Sequence, residues 1–364
     1  MNNEKGYKIS VALCTYNGEK YIYEQLQSIV NQTIKPDEIV ISDDHSSDST
    51  QEIVKDFIKH RKKDKMVIKL LVNDNYKGVT GNFENAAKNT TGDIVFFSDQ
   101  DDVWYSNKIE DTMYAFYKYP SSVGVISDAD CVDIHLNKLG VTFSEGCWKK
   151  FKELEYDNEN MYNLLGKDMM DVAVRGNILG GCCLAVKNNI LDKMYDFCPN
   201  IYHDDWICFC MFVLGDVVAL NKSLFAYRLH GNNTVGFNNI VRNKTTFIKK
   251  IKKVRKTIRD LPNMFIDNAE RCIYFNKFAY ENNRQSSQLE YQWNLNKRKI
   301  LAVTSKKIEG LRMLKKIAIS NNQYKTKYYY LECIYLLLYS RKRRLSDLSK
   351  YLKIFKCYNT ITID

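Results

Sequence analysis

A chain of 364 residues with 45% hydrophobic content is long enough for one large or two ordinary domains around a real core, which excludes a disordered or fibrous protein. The net charge of +11 hides an uneven distribution, because residues 241–364 carry 29 Lys and Arg against 9 Asp and Glu and leave residues 1–240 net acidic. Eleven cysteines, an odd number without any CxxC pair or zinc-ligand spacing, exclude a disulfide framework and read as reduced core residues of a cytosolic protein. Residues 1–6 lack the basic-then-apolar layout of a signal peptide. The longest apolar run, residues 328–339, is interrupted by Glu332 and falls short of the roughly 20 residues of a spanning helix, so a cytoplasmic protein without a transmembrane segment is expected.

Residues 9–14 (ISVALC) read as a strand running into the turn Thr15-Tyr16-Asn17-Gly18. Ile22, Leu26, Ile29 and Val30 have helical spacing, and the helix is expected to end before Pro36. Residues 38–42 form a second strand that stops at Asp43-Asp44. A capping box from Ser49 to Glu52 predicts the next helix, with Ile53, Val54, Phe57 and Ile58 buried. Residues 67–72 make a third strand, 75–82 a loop that includes Asn82, and 83–88 a short helix. The apolar run 94–97 is a fourth strand. Strands alternating with helices predict βαβ units with right-handed crossovers, an α/β fold with a mainly parallel sheet.

The fourth strand ends at Ser98-Asp99-Gln100-Asp101-Asp102, where three carboxylates occupy four positions. Acids so close raise one another's pKa unless a cation sits among them, and all-oxygen ligation suits Mg²⁺ or Mn²⁺, ions that also hold nucleotide phosphates. The alternative is a solvated acidic turn before a helix N-terminus. Thr15-Tyr16-Asn17, Asp43-Asp44 and Asp99 to Asp102 all lie just past strand C-termini, so three loops distant in sequence are expected to line one crevice.

Further on, a helix is expected over 106–117 and a strand over 123–127, while 138–171 is a polar insert without a clear pattern. The run Asn177-Ile178-Leu179-Gly180-Gly181-Cys182 suits close approach of backbone to a ligand. His203-Asp204-Asp205-Trp206 opens an apolar helix at 207–214, and a strand near 217–221 precedes Tyr227-Arg228-Leu229-His230. Residues 248–255 and 311–317 alternate apolar and basic residues at helical spacing. Two readings stay open for this basic region: an amphipathic surface for an anionic membrane, with residues 341–344 at the headgroups, or helices packed on the preceding domain or on a second copy. No nucleic-acid-binding motif accompanies the charge, and no nucleic acid partner is expected.

In order along residues 9–236, the segments VALCTYNGEKYI, PDEIVISDDHS, GVTGNFENA, GDIVFFSDQDDVW, NILGGC, HDDW and YRLHGNNTVG resemble family 2 nucleotide-sugar glycosyltransferases of GT-A fold, within them the bacterial rhamnosyltransferase-like branch. The resemblance implies a catalytic domain over 1–240, followed by a basic helical region over 241–364. It implies that Thr15, Tyr16, Asn17, Glu19, Asp43, Asp44, Asn82, Asp99 and Gln100 hold the nucleotide-sugar donor. Asp99, Asp101, Asp102 and His230 are the implied ligands of Mn²⁺ or Mg²⁺. Asp204 takes the place of the family's catalytic base, with Asp205 as the alternative, and Asn177, Gly181, Cys182 and Trp206 fall on the acceptor side. The implied reaction is an inverting, metal-dependent transfer of a sugar, with dTDP-L-rhamnose or a UDP-hexose as donor, to a glycan or lipid-linked glycan acceptor of the bacterial surface, at the inner face of the membrane. A non-catalytic sugar-binding protein of the same fold is the alternative. The chain departs from the family pattern at Gly81, where relatives commonly carry Lys or Arg, and at Asp205, where an aromatic residue usually stands.

Overall fold

The computed structural model describes residues 6–61, 65–74, 78–147, 149–173, 180–197, 201–230, 233, 268, 271–284, 287–304 and 312–314. The chain divides into two compact units, Met1–Val241 and Arg242–Asp364. In the second unit the described residues are helical at 271–281 and Ser287–Thr304, and Cys272, Phe275, Phe278 and Ala279 form a buried stripe at helical spacing. Asn177, the basic segment 248–255, the apolar run 328–339 and residues 341–344 lie outside the described residues.

The first unit is built on one ten-stranded sheet. Its first half follows the predicted order: β1 (Ile9–Thr15), α1 (Ile22–Val30), β2 (Glu38–Asp43), α2 (Thr50–His60), β3 (Val67–Val72), α3 (Gly78–Lys88) and β4 (Ile94–Ser98). β3, β2, β1 and β4 lie side by side and parallel, with Thr15 in register with Asp43 and Leu13 with Ser98. β1, β2 and β4 are buried along their whole length, as continuous apolar runs covered on both faces must be. Because the strands are parallel and in register, their C-terminal ends bring Thr15, Asp43 and Asp99 to one edge.

The second half comprises β5 (Val103–Trp104), α4 (Lys108–Lys118), β6 (Gly124–Val132), β7 (Lys138–Thr142), α5 (Phe143–Cys147), β8 (Met161–Leu164), α6 (Gly166–Ala173), β9 (Leu184–Lys187), α7 (Asn188–Leu191), α8 (His203–Leu214) and β10 (Val217–Arg228). β9 runs antiparallel between β4 and β6, and β10 pairs parallel with β6. At twelve residues β10 is far longer than the run 217–221 suggests, since it passes from β8 at one end to β5 at the other and ends at Arg228. The insert 138–171 supplies β7, β8 and two helices that the polar sequence conceals. α8 buries ten of its twelve residues, so it is apolar all round rather than amphipathic.

Three local expectations are corrected. α3 begins at Gly78, which places Asn82 and the buried Gly81 on a helix and not in a loop. The Ser49 capping box does not form: Asp48 Oδ1 accepts the Thr50 N–H (3.0 Å), while the Ser49 N–H donates to Glu19 Oε2 (3.0 Å). Of the predicted α2 stripe Val54 and Phe57 are buried, whereas Ile53 and Ile58 are half-buried.

Candidate active site

A cleft of about 770 Å³ opens over the C-terminal ends of β1, β2 and β4. The loop after β1 is held from several sides. Asn17 sits at φ +48°, a left-handed conformation that Asn tolerates, and its Oδ1 accepts the Ser47 N–H (2.8 Å). The Gly18 N–H donates to Thr50 Oγ1 (2.7 Å). Gln100 reaches across from the acidic loop with both ends of its amide: Nε2 donates to the Tyr16 carbonyl and Oε1 accepts the Tyr16 N–H, each at 2.9 Å. Gly18 leaves room for this clamp, since a Cβ there would stand 2.0 Å from Gln100 Oε1.

Thr15, Tyr16, Asn17, Glu19, Asp44, Asn82, Asp99 and Gln100 all line the cleft. Asp43 does not. Fully buried, it accepts from Thr15 Oγ1 (2.6 Å), the Ser46 N–H (2.8 Å) and Gln51 Nε2 (2.7 Å), so its carboxylate knits two loops together instead of meeting a ligand. Asn82 is also spoken for: it accepts from Ser42 Oγ (2.6 Å) and donates to the carbonyls of Thr15 (3.2 Å) and Ser42 (2.9 Å). Asp44 lies at the cleft wall, where burial raises its carboxyl above the usual range.

The acids separate into layers. One ligand atom each from Asp99, Asp102 and Cys182 lies within 4.8 Å of the others. Burial, and then the neighbouring Asp101 charge, pushes Asp99 up to about 7. Asp102 is 1% exposed and absent from the cleft lining; neither of its oxygens receives an N–H or O–H among the described residues, and burial raises its pKa strongly. A deep carboxylate without an N–H or O–H donor, beside a second carboxylate that opens to the cleft, is an arrangement that a bound cation resolves. Beneath them the buried Lys108 ammonium donates to the Cys182 carbonyl (2.6 Å) and sits over the Phe225 and Trp104 rings, at 3.9 and 4.6 Å. Burial lowers Lys108 to about 8.

Asp101 faces the cleft, and its Oδ2 lies 2.6 Å from His230 Nε2. That geometry is held from below by Arg228, only 3% exposed, whose guanidinium donates to the carbonyls of Asp101 and Ile134 (both 2.9 Å), pairs with Glu24 and lies over Tyr21. Tyr21 in turn stacks on His230, with centroids 5.2 Å apart. The residues that reach Asp101 and His230 therefore come from the turn before α1, the acidic loop and the end of β10.

The first turn of α8 settles a second division. His203 and Asp204 line the cleft together with the exposed Tyr202, whereas Asp205 and Trp206 turn into the protein, as successive helical positions must. Asp204 Oδ1 accepts the Asp205 N–H (2.8 Å). Asp205 is thus removed from the position of a base, and Trp206, with Nε1 donating to the Met194 carbonyl (2.9 Å), is removed from any acceptor surface. Gly181 and Cys182 do line the cleft. Sequence reasoning missed Lys20, Tyr202 and His203 in the lining, and Lys108 and Arg228 beneath it. Lys108 carried a signal, since it falls on the same helical stripe as Thr112 and Phe116.

The family model described as glycosyl transferase family 2 matches residues 10–173. The chain is 28% identical to an uncharacterised glycosyltransferase of a Nostoc species over 62% of this chain and 66% of that protein. It is 36% identical to the UDP-Glc:α-D-GlcNAc-diphosphoundecaprenol β-1,3-glucosyltransferase WfgD of Escherichia coli, over 29% of this chain and 39% of that one. Against the dTDP-rhamnosyl transferase RfbG of Shigella flexneri the identity is 27%, covering 70% of this chain and 87% of the relative. The chain thus spans less than two thirds of the first two relatives. Among solved structures, S. aureus TarS 1–349 in complex with UDP-GlcNAc superposes with a TM-score of 0.52 at 16% identity, covering 95% of this chain and 92% of that one. The fold is GT-A. The family match covers the segment that builds the parallel β3-β2-β1-β4 part of the sheet, and over residues 10–173 the chain is similar to glycosyl transferase family 2.

Proposed function

We propose that this protein transfers a sugar from a nucleoside-diphosphate donor to a glycan acceptor of the bacterial surface, with inversion at the anomeric carbon. The observation that carries the reading is the single cleft lined by Asp99, Asp101, His230 and Asp204, with the deep Asp102 behind it. Thr15, Tyr16 and Asp44 are assigned to the nucleoside, and Lys20 to a phosphate in place of the cation missing at Gly81. Asp99, Asp101 and His230 would hold Mn²⁺ or Mg²⁺, with Asp102 as a further carboxylate; such an ion supplies Lewis-acid neutralisation of the departing diphosphate.

Asp204 is the base. It takes the proton from the acceptor hydroxyl as that oxygen bonds to the anomeric carbon and the bond to the diphosphate oxygen breaks, and a single displacement of this kind inverts configuration. His230 and Arg228 hold Asp101 in place, the first through its carboxylate and the second through its carbonyl. The relatives named for dTDP-rhamnosyl and UDP-glucosyl transfer support dTDP-L-rhamnose or a UDP-hexose as donor. The E. coli relative's diphosphoundecaprenol acceptor supports a lipid-linked acceptor, which we place at the inner membrane face, with the basic region after residue 240 against anionic lipid. No helix among the described residues is long and apolar enough to cross a membrane.

The test is nucleoside diphosphate release from a panel of dTDP- and UDP-sugars with and without Mn²⁺. Metal-dependent turnover of a donor is expected, and absence of both turnover and binding across the panel would refute the assignment. Asp204→Asn should lower transfer by about 10²- to 10⁴-fold while leaving donor binding intact, and Asp101→Asn should weaken metal-dependent donor binding.

A further inference from the structure

His203 lines the cleft but has no part in the reaction described above. The residue is 5% exposed and its imidazole lies flat on Phe83, with centroids 3.7 Å apart and planes at 17°, and the Phe97 ring is 6.4 Å away. Neither ring nitrogen has a hydrogen-bond partner among the described residues. Burial pushes its pKa down to about 3, so the ring is neutral and carries one N–H and one lone pair, both unspent. Room for it is kept by Gly181, where a Cβ would stand 2.1 Å from His203 Nε2.

Two unpaired buried nitrogens lower stability, and a phenylalanine would stack on Phe83 without that cost. A residue that weakens the fold in this way is expected at a functional position. Its location narrows the role. Phe97 ends two residues before Asp99, Cys182 adjoins the acid cluster, and Asp204 is the next residue in the chain. His203 therefore lines the same cleft as Asp99, Cys182 and Asp204, close to the strand that leads into Asp99. On the reading above, the part of the substrate that lies between the diphosphate and the acceptor hydroxyl is the transferred sugar.

We propose that His203 reads the transferred sugar, its neutral imidazole hydrogen-bonding a ring hydroxyl; the inference rests on the glycosyltransferase reading above. A hydroxyl both donates and accepts, so it matches either nitrogen, and a site built to pair with a hydroxyl discriminates strongly against a ligand that lacks it.

The experiment measures affinities of full-length wild type, His203→Phe and His203→Gln for UDP, UDP-glucose, dTDP and dTDP-rhamnose in Mn²⁺ by calorimetry, together with melting temperatures. For whichever sugar nucleotide wild type prefers over its nucleoside diphosphate, His203→Phe should reduce that preference roughly ten- to hundredfold. Affinity for the nucleoside diphosphate should be unchanged and the melting temperature equal or higher, and His203→Gln should keep part of the preference. An unaltered preference in a folded His203→Phe protein overturns the proposal while leaving the glycosyltransferase reading standing. So does an equal loss of affinity for the diphosphate and the sugar nucleotide, with lowered melting in both variants, which marks a structural role. Failure of wild type to bind any of the four ligands overturns both.

Discussion

Gly18→Ala tests whether the Gln100 clamp shapes the nucleotide end of the cleft. The new Cβ would stand 2.0 Å from Gln100 Oε1 and 2.4 Å from its Cδ, so the amide must leave. It then loses both 2.9 Å bonds to the Tyr16 backbone. Tyr16 is 53% exposed, so water replaces part of what is lost, and at about 0.5–1 kcal/mol per bond the cost is about 1–2 kcal/mol. Gln100→Ala removes the same two bonds directly and should cost about the same. Because both changes act on one clamp, the double variant should be no less stable than Gln100→Ala alone, a coupling of about 1–2 kcal/mol. Melting of the full-length protein reads this as single-variant shifts of about 2–8 °C. Additive shifts in the double variant would refute the reasoning, as would a Gly18→Ala protein that melts like wild type.

Arg228→Met leaves the Asp101 and Ile134 carbonyls without their donor and Glu24 without its partner; a loss of about 2–3 kcal/mol is expected in denaturant unfolding, and Arg228→Lys should not restore it because one ammonium cannot reach three acceptors in a fork. Cation binding should depend on pH through Asp99. With its carboxyl raised to about 7, the metal-free protein binds a proton there that the unfolded chain has already released above the ordinary carboxylate range. This contribution therefore favours folding at low pH and is lost as pH rises toward about 7, whereas Mn²⁺ competes with that proton. Mn²⁺ affinity should fall about tenfold per pH unit below 7 and level off above it, and pH-independent Mn²⁺ titrations between pH 5.5 and 8 would contradict this. Phe209→Ala, fully buried on α8, should cost about 3–5 kcal/mol in unfolding without a change of metal affinity per folded molecule.

Much of the first hundred residues was legible because parallel βαβ units write themselves locally. A buried strand is a short apolar run, its crossover helix has a 3.6-residue period, and ligand residues follow each strand's end. Thr15, Asp44, Asp99 and Asp101 could be named from that pattern alone, and so could Asp204 and His230 from the family resemblance. The insert 138–171 was opaque because its strands are short or exposed: β7 is half open to solvent, and β8 has four residues. Its pairing is decided by β6 and β10, which lie far away in sequence.

The chemistry on offer could be read from the order of residues alone, namely carboxylates after strands, a histidine after β10 and an acid at the start of α8. Which of them face the cleft follows from the assembled fold. Neighbouring residues share a motif but not a direction, so Asp43 and Asp44, Asp101 and Asp102, or Asp204 and Asp205 look equivalent in a string of letters. In the fold one member of each pair lines the cleft, and the other is turned into protein by the pleat of a strand end, the bend of a loop or the rotation of a helix. Burial then sets their properties, because desolvation raises Asp99 and Asp102 and keeps His203 neutral, and burial is a property of the assembled core that no local pattern encodes.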